Sequence, residues 1–90
     1  MKMVINCSWG GFELPKDYAA VKTNGWVYDC SDEVRCDPDL IDIVESEDYE
    51  GDLEVVEFSD EATDYMIDEY DGMESLYYVV NGRIKQAVPW

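Results

Sequence analysis

Residues 63–88 read TDYMIDEYDGMESLYYVVNGRIKQAV. Two dipeptides, Asp71-Gly72 and Asn81-Gly82, divide this stretch into three runs rich in β-forming residues. Asp-Gly and Asn-Gly suit the two-residue hairpin turn, whose central residues both take positive φ. The stretch therefore predicts strands over 63–70, 73–80 and 83–88, paired as an antiparallel meander. Leu53 to Phe58 is rich in β-forming apolar residues and is expected to lead into that meander as its first strand.

The N-terminal half reads differently. Met3-Val4-Ile5-Asn6-Cys7 predicts a short buried strand ended by Ser8, and Trp9-Gly10-Gly11-Phe12 a turn or bulge. Pro15 opens a short helix over 15–23, with Leu14, Tyr18 and Val21 on one side and Asn24-Gly25 as its C-terminal cap. Trp26-Val27-Tyr28 predicts another short strand, and 29–35 a polar loop. Asp37 as N-cap, Pro38 at the first helical position and Asp39 in the first turn mark a second helix, carried to about Glu47 by Leu40, Ile41, Ile43 and Val44. Residues 1–90 are thus expected to form one small α+β domain: a mostly antiparallel sheet with a C-terminal β-meander and two short helices.

Charge is the other dominant feature. Of 22 acidic residues, 20 lie between Asp29 and Glu74, where Arg35 is the one basic residue; the net charge is −16. Self-repulsion on this scale opposes compaction. Yet 47% of the residues are apolar and twelve are aromatic, so the chain is read as folded. The charge argues against direct binding to nucleic acid or to anionic membranes. No apolar run approaches a membrane span, and no signal-peptide pattern stands at Met1–Ile5. Three cysteines without paired spacing, Cys7, Cys30 and Cys36, argue for reduced thiols and a cytoplasmic setting.

Chemistry has few anchors here. Without histidine the chain lacks the commonest general base and metal ligand. No enzyme activity, cofactor or metal is expected. The cysteine spacing does not suit tetrahedral zinc. Asp37, Asp39 and Asp42, or Asp60, Glu61 and Asp64, lack the calcium-loop pattern. Gly10-Gly11 lacks the residues that follow a phosphate loop.

Several of these residues carry a resemblance. Val4-Ile5-Asn6, Gly10-Gly11-Phe12, Arg35, Asp37-Pro38-Asp39-Leu40-Ile41, Val44-Glu45, Leu53-Glu54-Val55-Val56-Glu57, Ile67-Asp68-Glu69-Tyr70-Asp71-Gly72 and Glu74 occur in this order. Together they resemble a family of small acidic bacteriophage proteins that has no established activity. The resemblance implies a phage gene acting inside a bacterial cell. The chain departs from the pattern in its cysteine-bearing residues 26–36. It departs again at Tyr77-Tyr78-Val79-Val80-Asn81-Gly82, where a basic or histidine-containing ending would be usual.

Two readings of the acidic surface remain, a solvated face or a mimic of a nucleic-acid backbone. In the second, carboxylates repeat at about 6–7 Å along a strand or helix face and fill a basic groove in a host protein. The expected contact residues are Asp39, Asp42, Glu45 and Glu47 on the helix side. On the strands they are Glu54, Asp64, Asp68, Glu69, Asp71 and Glu74, with Tyr70 as an anchor. Tyr65, Tyr77, Tyr78 and Trp90 are further aromatic anchors unless the core claims them. The alternative function is a small-ligand or sequestering module, with a pocket lined by Trp9, Phe12, Trp26 and Tyr28. A homo-oligomer fits either reading.

Overall fold

The computed structural model describes residues 1–88; Trp90 therefore lies outside the described residues. The chain runs β1 (Lys2–Asn6), α1 (Lys16–Lys22), α2 (Asp32–Arg35), α3 (Pro38–Glu45), β2 (Leu53–Glu57), β3 (Asp64–Tyr70), β4 (Met73–Val80) and β5 (Arg83–Ala87). It is an α+β fold dominated by two antiparallel sheets.

The two sheets stack. β1 pairs with β2, with Val4 opposite Val55 and Met3 opposite Val56. β3, β4 and β5 form the second sheet in that order. Side chains alternate across a strand, and the core divides the same way. Val4, Leu53 and Val55 pack with Leu14, Tyr18, Ala19, Val34, Leu40 and Ile41 from the helical side. Met3, Ile5, Val56 and Phe58 pack with Leu76 and Ala87 of the second sheet. The β1–β2 ribbon is therefore a middle layer, covered by helices on one face and by β3–β4–β5 on the other. This explains the unbroken apolar run Met3-Val4-Ile5: a strand buried on both faces has no polar side.

It also corrects the expectation that residues 53–58 begin the meander. Leu53 and Val55 face one core while Val56 and Phe58 face the other, so the segment needs a two-sided burial that only the place beside β1 provides. The meander has three strands. Its turns form as expected, with Asp71 (φ 52°), Gly72 (φ 88°), Asn81 (φ 52°) and Gly82 (φ 75°) all left-handed.

Among the described residues three helices form rather than two. α2 lies within the expected polar loop and is capped by Ser31, whose hydroxyl accepts from the Val34 N–H at 3.4 Å. α3 opens as expected, the Asp37 carboxylate accepting from the Asp39 N–H at 3.0 Å with Pro38 next to it. In α1, Tyr18 and Ala19 turn inward and Val21 is exposed, contrary to expectation. At 3.6 residues per turn Val21 falls roughly 110° from the midline of that buried pair. Trp26-Val27-Tyr28 forms no strand; Val27 packs on the core and its carbonyl accepts from the Leu14 N–H at 2.7 Å.

Candidate protein interface

Glu74 sits on the inner face of β4 and Arg35 in the last turn of α2, with side chains 9% and 4% exposed. The Arg35 guanidinium donates to both carboxylate oxygens of Glu74, at 2.8 and 2.6 Å. It also donates to the backbone carbonyls of Cys30 (2.8 Å) and Val4 (3.0 Å) and lies 4.5 Å over the Phe12 ring. Glu74 accepts in addition from the Asn6 N–H at 2.8 Å. The Asn6 amide group donates to Gly72 O at 2.6 Å and to Ser8 O at 2.9 Å. Burial alone would lower the guanidinium pKa; the hydrogen bonds and charge of Glu74 outweigh it and leave it raised.

Glu74 is therefore corrected from a surface contact to half of a buried ion pair. The one basic residue in the acidic segment does not screen that segment from outside. It ties β1, α2, β4 and the loop at Phe12 into one unit.

The remaining expected contact residues are exposed but do not share a face. Asp39, Asp42 and Glu45 stand on α3, with Glu47 just beyond it, on the helical side of the molecule. Two of these are engaged at home: Asp39 with Lys22 at 2.7 Å and Glu45 with Lys2 at 3.0 Å. Glu54 projects from β2 beside Cys7, whose thiol is pushed up to about 12 by burial and by Glu54. Asp71 tips the first hairpin, and the Glu69 carboxylate accepts from the Gly72 N–H across it at 2.7 Å. On the strands, Glu54, Asp68 and Glu74 do not line up as one row of carboxylates. These residues lie on the middle ribbon, the outer face of β3 and the buried face of β4, because β2 left the meander and Glu74 turned inward.

Asp64, Asp68 and Tyr70 do share a face, the solvent side of β3–β4–β5. Met66 separates the two carboxylates, so they stand about 13 Å apart along the strand rather than at the phosphate-like step. Strand register places Met66 opposite Tyr77, Asp64 opposite Val79, and Val79 opposite Ile84 on this same side. Met66 is 61% exposed and Ile84 72%. A sheet with one wet face normally alternates apolar and polar residues. Here the wet face carries an apolar stripe with acids along its β3 margin. Sequence reasoning noticed Asp64, Asp68 and Tyr70 for their charge and ring, and passed over Met66, Val79 and Ile84. Their signal was present: β3 and β4 have apolar residues at both parities.

The expected aromatic pocket does not assemble. Trp9 packs edge-on against Tyr70 at 5.9 Å, and Trp26 against Tyr28 at 5.6 Å. Phe12 and Tyr28 border an open cleft of about 500 Å³ with Arg35 and Glu74, without either tryptophan. Tyr65 and Tyr78 stack against Phe58 in the core. The Tyr65 hydroxyl also donates to Asp32, which pushes its pKa up to about 12.

Gly10-Gly11 serves as a seat for the first hairpin, since a Cβ on Gly72 would meet Gly11 N at 2.5 Å. Asp37 and Asp60 are occupied by Tyr18 (2.7 Å) and by the N-terminal ammonium (2.6 Å). Among the described residues no three Cys, Asp or Glu side chains converge on a metal position. No helix of the described residues is long and apolar enough to cross a membrane.

No family model, curated protein or solved structure matches the chain. The functional reading rests on the geometry.

Proposed function

We propose that this chain is a non-enzymatic interaction protein that covers a cationic surface of another macromolecule. The observation that carries this reading is the disposition of charge. Among the described residues, ion pairs join the N-terminus to Asp60, Lys2 to Glu45, Lys22 to Asp37 and Asp39, and Arg35 to Glu74. Half of the six lysines and arginines are thus held within the chain; Lys16, Arg83 and Lys85 stand exposed, but against 22 acids they leave the outward surface anionic overall. Such a surface attracts lysine- and arginine-rich partners and repels nucleic acid, lipid and its own copies.

The partner is a nucleic-acid-handling or defence protein of a bacterial host, met in the cytoplasm during phage infection. The chain inhibits it by occupying the basic surface where nucleic acid would bind. Occlusion of this kind needs no catalytic group, metal or cofactor. The resemblance to small acidic phage proteins supports the setting, and the wealth of carboxylates supports the mode. A competition assay tests the reading. Host nucleic-acid-binding proteins captured by this chain should release labelled DNA or RNA when it is added, and release should weaken as salt rises. Ternary complexes that retain the nucleic acid would contradict occlusion.

A further inference from the structure

We infer that the docking surface is the outer face of β3–β4–β5, and that it fits a protein surface with an apolar centre bordered by lysine or arginine. This deepens the proposed function and rests on it.

The face combines three properties. Its centre is apolar and wet: Met66, Tyr77, Val79 and Ile84 form one patch by register across three strands. Contiguous exposed apolar surface, on the order of a few hundred Å², is characteristic of interaction sites. Its margin is acidic, supplied by Asp64 and Asp68. It carries no cation among the described residues, because Arg83 and Lys85 alternate with Ile84 and emerge on the other side of β5. The backbone of the face is paired in register along both ladders, so binding needs no new strand to form.

The charge selects the occupant. A second copy would bring −16 against −16 and set aspartates near aspartates. Nucleic acid and anionic lipid are refused by sign. An apolar protein surface with lysines or arginines set to meet Asp64 and Asp68 satisfies both halves of the face. Tyr70 and Tyr77 offer ring faces to an arginine besides. The segment of α1 and the residues after it also exposes Val21, Trp26 and Tyr28, but the helical side carries Lys2 and Lys22 among its acids, where they already hold Glu45 and Asp39.

The test uses two synthetic peptides of equal charge and length, one alternating lysine with isoleucine, the other lysine with serine. Fluorescence anisotropy at low salt reads their binding. Burying one or two isoleucines predicts a preference of about tenfold or more for the first peptide. The double variant M66S/I84S should abolish the preference, leaving serine-peptide binding as it was. D64N/D68N should weaken both peptides more than E13Q/D17N, which removes the same charge from the helical side. Urea unfolding of each variant confirms that the fold is kept. The inference is overturned if wild type shows no preference or if M66S/I84S retains it. It is also overturned if wild type self-associates through this face, or if the two charge variants weaken binding equally. Equal weakening leaves the proposed function standing, since overall charge then suffices. Failure of both peptides to bind at all removes the proposed function together with this inference.

Discussion

Replacing Glu74 by glutamine tests the buried ion pair, the part of the structure that most changed the sequence-based view. The substitution keeps the shape and retains an acceptor for the Asn6 N–H, so its effect is confined to the contact with Arg35. Arg35 would remain 4% exposed with no counterion, and the new amide nitrogen would face guanidinium donors. Removing one partner of a buried pair costs about 3–5 kcal/mol. A 90-residue domain stands on the order of 5–13 kcal/mol above its unfolded state, so the variant is expected to be marginal. Urea titration followed by tryptophan fluorescence measures the loss, and the melting temperature should fall by well over 10 °C.

Arg35→Met should cost a comparable amount. The double variant should cost less than the sum of the two by about 2 kcal/mol, a coupling typical of direct contacts. It should not regain wild-type stability, because the carbonyls of Val4 and Cys30 lose their donor. Exposed Glu47→Gln is the reference, expected within about 0.5 kcal/mol of wild type. If E74Q behaves like E47Q, the pair is not buried as described and the reasoning fails.

Three other outcomes follow from the same coordinates. Gly72→Ala places a Cβ on the Gly11 backbone and forces a left-handed alanine, so it should cost at least about 1 kcal/mol more than Gly82→Ala, which meets only the backbone penalty; equal losses in urea titration would refute the seating of the hairpin. Asp37→Ala removes the α3 cap and strands the Tyr18 hydroxyl, for about 2 kcal/mol. The Tyr18 hydrogen bond, then the Asp39 N–H and Lys22, holds the Asp37 carboxyl below its ordinary value despite some burial. Its stabilisation is thus present above about pH 4 and lost as pH falls through the lowered folded value, so the difference between wild type and Asp37→Asn should shrink on acidification. Finally, exposed Cys30 should react with iodoacetamide before Cys7, whose thiol burial and Glu54 push up to about 12; mass-spectrometric mapping showing Cys7 alkylated first at pH 8 would contradict its environment.

The locally encoded parts of the fold were legible in the sequence. Both hairpins form where Asp71-Gly72 and Asn81-Gly82 stand, and α3 starts at its Asp37-Pro38 signal, because two or three residues determine each feature. What depends on distant contacts was not legible. The β-forming residues of 53–58 identify a strand but not its partner, and β2 joins β1 because both of its faces find cores there. Residues 26–28 look like a strand, yet no neighbour offers them a ladder. α2 escaped notice because Ser31 is its main local mark in a polar, cysteine-bearing stretch.

The candidate site divides along the same line. Asp64, Asp68 and Tyr70 were found from composition, whereas the stripe between them depends on which parity of β3 and β4 meets the middle ribbon. Glu74 was misplaced because nothing local distinguishes it from its acidic neighbours. Its parity with buried Leu76 turns it inward, and Arg35, 39 residues earlier, supplies the counterion that makes that place tenable.

Partner capture across salt most directly tests the central claim that this anionic domain docks on a cationic protein surface. Immobilised protein should retain basic nucleic-acid-binding proteins from a bacterial lysate at about 50 mM salt and release them by about 500 mM, where screening shortens to a few ångströms. The M66S/I84S variant, whose charge is unchanged, should retain the same partners more weakly at low salt and release them at a lower salt concentration than wild type. Retention that is indifferent to salt, or an eluate without basic proteins, would contradict the account.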